Sequence, residues 1–68
     1  MSIVKVIEVI SEGKNVDEAI ANAVKEASLT ISGIKQVNVK YIQAVVEKNK
    51  VVKIRVNSDI SFLVDHKK

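Results

Sequence analysis

The side chains that could do chemistry are few, and their spacing favours binding over catalysis. The single histidine, His66, stands in a charged tail beside Lys67 and Lys68, where it reads as a solvated side chain rather than a general base. No cysteine is present to act as a nucleophile or to ligate zinc. Ser2, Ser11, Ser28, Ser32, Ser58 and Ser61 have no histidine placed to activate them. Gly13 and Gly33 stand alone, so there is no phosphate-cradling loop. Asp17, Glu18 and Glu26 read as helix-surface residues, and Glu8 with Glu12 lacks the spacing of a metal site. Asp59 is the carboxylate with company: it falls near Asn38 and Asn57, where it can pair with Lys40 or Arg55, or contact calcium or another ligand. The chain is not expected to be an enzyme.

The elements that must position these residues begin with a long hairpin. Two strand-like runs from Ile34 to Val64 meet at Glu47-Lys48-Asn49-Lys50. Asn49 tolerates a left-handed backbone, so Lys48-Asn49 can form a two-residue turn with Glu47 facing Lys50. Carried unbroken along both arms, that register sorts the side chains by the period of two of a strand. Val37, Val39, Tyr41 and Val45 then join Val52, Ile54, Val56, Ile60 and Phe62 on a core face. The other face carries Gln36, Asn38 and Lys40 opposite Ser61, Asp59 and Asn57, followed by Ile42 and Ala44 opposite Arg55 and Lys53.

Ahead of the hairpin, Ser2 to Ser11 is rich in Ile and Val and reads as a strand that is apolar on both faces, with Ile3, Ile7 and Val9 on one and Val4, Val6 and Ile10 on the other. Ser11 to Lys14 is a break. Asn15 has the character of a helix N-cap, with Glu18 spaced to reach back to it as in a capping box. From Val16 to Ser32 the apolar positions follow helical spacing, and alanines at Ala19, Ala23 and Ala27 would let a sheet approach closely. Gly33 supplies the expected C-terminal stop, with Ile34 packing back. The fold class is therefore α+β: a β-α-β-β subunit with a three-stranded antiparallel sheet in the order 1-3-2, wrapped on one helix.

Residues 1–68 make one small domain, below the size at which a core alone gives much stability, and without cysteine the remaining support is oligomerisation. Geometry points the same way. Each hairpin arm of about 14 residues reaches ~45 Å, whereas a helix of about 17 residues reaches ~25 Å. The surplus apolar strand, with Ile42, Val45, Val46, Val51 and Val52 near the turn, asks for a partner. The net charge of +3 owes two charges to Lys67 and Lys68, and no aromatic-interleaved basic stripe suggests nucleic acid. No run has the length of a membrane span or the form of a signal peptide, so a soluble, cytoplasmic protein is expected.

The run Val16-Asp17-Glu18-Ala19-Ile20 with Ala23, Ala27, Thr30 and Ile31, then Gly33-Ile34-Lys35, Val46-Glu47-Lys48-Asn49-Lys50-Val51-Val52 and Arg55-Val56-Asn57, resembles the dodecins along nearly the whole chain. The resemblance implies a hollow homododecamer of cubic symmetry that stores or sequesters flavins, riboflavin or FMN, between aromatic rings at two-fold contacts. It places the stacking tryptophan of flavin-binding members at Gln36, or at Asn38 in a related group, and the flavin-edge glutamine at Arg55. This chain has no tryptophan. Gln36, Asn38 and Arg55 are the expected cofactor-binding residues. The alternative is a dodecin scaffold without flavin, holding another anionic cofactor such as coenzyme A, or calcium, or serving as a structural shell. Lys40, Lys53 and Arg55 on one face lean towards an anionic ligand.

Overall fold

Val and Ile recur along three of the four elements, and a stripe of alanines marks the fourth. A computed structural model describes residues 2–65. The chain runs β1 (Ser2–Gly13), α1 (Val16–Ala27), β2 (Ile34–Glu47) and β3 (Lys50–Asp65). The strands form one antiparallel sheet in the order β1-β3-β2, as expected. Asp65 closes β3, and the tail residues His66, Lys67 and Lys68 lie outside the described residues.

The helix begins as the sequence predicts and ends early. Asn15 Oδ1 accepts a hydrogen bond from Glu18 N at 2.8 Å. The return bond is displaced by one residue: Glu18 Oε1 accepts from Lys14 N at 2.6 Å rather than from Asn15. α1 stops at Ala27, not Ser32. The Ser28 hydroxyl donates to Lys25 O at 2.8 Å, the carbonyl that Leu29 N would need to continue the helix. Leu29 N turns to Glu26 O and Thr30 N to Ala27 O, both at 3.2 Å, and this tighter winding ends the element. Gly33 is thus not the helix stop. It sits at φ +79° with its carbonyl accepting from Leu63 N at 3.0 Å, which seats the start of β2 beside β3. Ile34 does pack back on the core.

Between helix and sheet lies a thin core. Ala23 and Ala27 cluster with Ile60 of β3, with Ile7, Val9, Ile31, Ile34 and Val37 packed against them, and Ala19, Val56 and Ser58 are buried as well. The small helix residues do permit close approach. A methyl group added to Gly13 would lie 2.7 Å from Ala19 N, too close for any side chain. Two further bonds tie helix to β1, from Ser11 Oγ to Ala19 O at 2.7 Å and from Asn22 Nδ2 to Glu12 O at 2.8 Å. At 12 residues the helix spans only ~18 Å at ~1.5 Å per residue. The subunit is 56 Å long, so most of the hairpin extends beyond the helix. Among the described residues no helix is long and apolar enough to cross a membrane.

The hairpin register holds beside the turn and from Gln36 to Val39, but it slips between Ile34 and Gln36, where Ile34 pairs with Phe62, and breaks in the middle. Lys48 and Asn49 have φ of 52° and 64°, the paired left-handed conformation of a type I′ turn, and Glu47 faces Lys50. Gln36 to Val39 pair as expected with Ser61 to Ser58. Between these stretches the register shifts at Val45/Val46 and at Val39/Tyr41, leaving Lys40 as an extra residue in β2. Tyr41, Gln43 and Val45 therefore pair with Asn57, Arg55 and Lys53, while Ile42 and Ala44 pair with Val56 and Ile54. This reverses the expected faces of Tyr41, Val45, Ile42 and Ala44. A bulge inserts one residue and increases local twist, which lets a long sheet curl around a helix.

Candidate ligand face

The side of the sheet away from the helix is open, and β3 forms its spine. Directly opposed residues of an antiparallel pair share a face. Hence Arg55, Asn57, Asp59 and Ser61 are flanked from β1 by Glu12, Ile10, Glu8 and Val6. From β2 they are flanked by Gln43, Tyr41, Asn38 and Gln36. Tyr41 is 62% exposed and Ile10 also 62%, so the row through Asn57 carries an aromatic ring and an aliphatic side chain in the open. Asn57 Oδ1 itself is buried there with no hydrogen-bond partner among the described residues.

Charges on this face are paired across strands. Lys40 Nζ lies 2.7 Å from Glu8 Oε2 and 3.8 Å from Asp59 Oδ1. Asp59 thus does face Lys40, but the lysine's closer partner is Glu8. Glu12 holds two cations: Oε1 accepts from Lys53 Nζ at 3.0 Å, and Oε2 accepts from Arg55 Nε at 3.0 Å and Nη2 at 2.8 Å. The hydrogen bond from Glu8 raises the Lys40 pKa, with Asp59 adding to it and partial desolvation opposing. The bonds from Lys53 and then Arg55 lower the Glu12 pKa, with partial desolvation opposing.

The cations that lean towards an anionic ligand are therefore already paired. Lys40, Lys53 and Arg55 do share the face, but β1 brings Glu8 and Glu12 beside them and β3 brings Asp59. Three cations meet three carboxylates, and this stretch of the face is neutral.

Gln36 and Asn38 are exposed neighbours on β2, two residues apart and so ~7 Å from each other. Arg55 is not with them. It stands four residues along β3 from Asp59, the partner of Asn38, a separation of ~13 Å, with the Tyr41 row between. The residues missed by sequence reasoning are Glu8, Glu12, Tyr41 and Gln43. The first two alternate correctly for one face of β1 and needed only that strand's register; the last two depend on the bulge at Lys40. A separate cleft of about 290 Å³ at the helix end, lined by Thr30, Ile31, Ser32, Phe62, Leu63 and Val64, includes none of the expected residues.

The Dodecin family model matches residues 3–65. This chain belongs to the dodecin family. Solved dodecins share its fold across nearly their full length. The Streptomyces coelicolor dodecin is 25% identical over 97% of this chain and 96% of its own, with a TM-score of 0.90. The dodecin from Streptomyces davaonensis is 20% identical over 96% and 97%, with a TM-score of 0.89. A point mutant of the T. thermophilus dodecin is 19% identical over 98% and 100%, with a TM-score of 0.90. Among curated proteins no sequence matches. The dodecin fold thus persists at 19–25% sequence identity.

Proposed function

We propose that this dodecin is a non-catalytic carrier that acts as one domain over residues 1–68, assembles with copies of itself as a homododecamer in the cytoplasm, and holds a flavin, riboflavin or FMN, on the open sheet face. Gln36, Asn38 and Arg55 are the residues proposed to line the site. The observation that carries the reading is a dodecin fold whose polar face no element among the described residues covers. Amide groups at Gln36 and Asn38 suit the donor and acceptor edge of a flavin ring, and Arg55 retains N–H donors beyond those given to Glu12. Exposed Ile42, Val46, Val51 and Val52 near the turn support self-assembly, since apolar strand beyond the reach of the helix is stabilised by burial against a neighbour.

The donor set fits a flavin, but the expected aromatic platform is missing at Gln36 and Asn38. Base stacking on an aromatic side chain contributes ~1–3 kcal/mol, so its loss weakens binding about tenfold to a hundredfold. That absence favours a second reading, a dodecin shell for a different cofactor, such as coenzyme A or calcium, or a purely structural one. Titration of the apo-protein with riboflavin and FMN, followed by quenching of flavin fluorescence, separates the two. Saturable quenching, strengthened about tenfold or more in Gln36→Trp, is expected. No saturation in either protein overturns the flavin reading.

A further inference from the structure

The open face has a cationic end that has been neutralised from a neighbouring strand. Arg55 and Lys53 stand on β3, two residues apart and on the same side of the sheet, a pairing suited to phosphate or a carboxylate. Glu12 occupies both. One carboxylate oxygen accepts two N–H groups of the guanidinium and the other accepts the lysine ammonium, at 2.8–3.0 Å. Glu12 is the last carboxylate of β1, directly opposite Arg55, and its own carbonyl is held by Asn22 of the helix. The partner is therefore built into the backbone at close range and present at high effective concentration.

A free anion must displace that carboxylate to reach Arg55, giving up as much charge pairing as it gains. An uncharged carbonyl need not. The guanidinium has five N–H donors, and only two go to Glu12. We infer that Glu12 is a specificity-determining residue of this face: by holding Arg55 and Lys53 it admits an uncharged, carbonyl-bearing planar ligand and refuses phosphate groups. The inference rests on the reading of the open face as the ligand face, and within that reading it selects riboflavin over its phosphate.

The test uses pyrophosphate as a simple anion, so that it does not depend on flavin binding. Pyrophosphate is titrated into the full-length wild-type protein, Glu12→Gln and Glu8→Gln, following the Arg55 side-chain N–H signal by NMR. The wild type and Glu8→Gln are expected to show no saturable shift, and Glu12→Gln a saturable one, with affinity gained about tenfold or more. Saturable binding to the wild type overturns the inference even if Glu12→Gln does not fold, and so does an equal gain in Glu8→Gln, which would make the effect one of net charge alone. In parallel, the ratio of FMN to riboflavin affinity should rise about tenfold or more in Glu12→Gln. If neither flavin binds any of the proteins while the pyrophosphate arms differ as expected, the flavin reading falls and the role of Glu12 stands.

Discussion

Alternate residues of β3 live in two different solvents. Val56, Ser58 and Ile60 face α1 and are fully buried, while Arg55, Asn57 and Asp59 between them face the open side among paired charges. On the closed side volume decides everything. Gly13 of β1 has no space for even a methyl group against α1, and the small alanines of the helix pack on Ile60. On the open side nothing among the described residues is packed from above, and the order is that of salt bridges between strands. The closed face specifies the fold and tolerates little; the open face carries little of the fold and is where chemistry can vary.

The contrast is broken most directly at Ile60. Ile60→Ala removes a fully buried side chain from the Ala23–Ala27 cluster and is expected to cost about 2–5 kcal/mol in urea unfolding at fixed protein concentration. A loss well below ~1 kcal/mol, the scale of a surface change, would mean that assembly rather than this core holds the subunit. Ser58 gives a smaller effect of opposite sign. Its hydroxyl is buried under the helix with no hydrogen-bond partner among the described residues. Ser58→Ala keeps the shape and removes the unsatisfied group, so the protein should gain about 1 kcal/mol. Destabilisation would reveal a partner for the hydroxyl and blur the line between a dry face and a polar one.

The same contrast explains what could be read from the sequence. The turn at Lys48-Asn49, the N-cap at Asn15, the alanine stripe and the strand order all follow from local conformational preference or from one-sided hydrophobicity, and each appears in the structure. The end of the helix was less legible, because it depends on whether the Ser28 hydroxyl or the Leu29 amide takes the Lys25 carbonyl. The open face was misread for a nonlocal reason. Lys40 has nothing in its own chemistry to mark it as a bulge, yet the inserted residue moves Tyr41 and Gln43 to the face of Arg55 and Asn57. Likewise Glu8 and Glu12 lie in an apolar strand whose alignment with β3 no short-range signal gives, so the neutrality of the face emerges only when β1 is set beside β3.

The smallest expected effect sharpens the comparison from the open side. Hydrogen bonds from Lys53 and Arg55 hold the Glu12 carboxyl below its ordinary range in the folded protein. A carboxylate depressed on folding contributes stability that is fully present above its unfolded pKa, near ~4.3 for glutamate, and is lost as pH falls through the lower folded value. Lys40 behaves oppositely. Its raised pKa gives a contribution present below the ordinary lysine value and lost only as the pH rises through the folded one, so it stays protonated in acid. Acidification should therefore weaken the wild type more steeply than Glu12→Gln, with the two unfolding curves converging at low pH. Because Glu12 is half-exposed, salt should shrink the difference. Parallel pH profiles for the two proteins would mean that the Glu12 pairs contribute nothing to folding, leaving that carboxylate free to act on ligand choice alone; a difference as large as that of Ile60→Ala would mean the open face is part of the core's work after all.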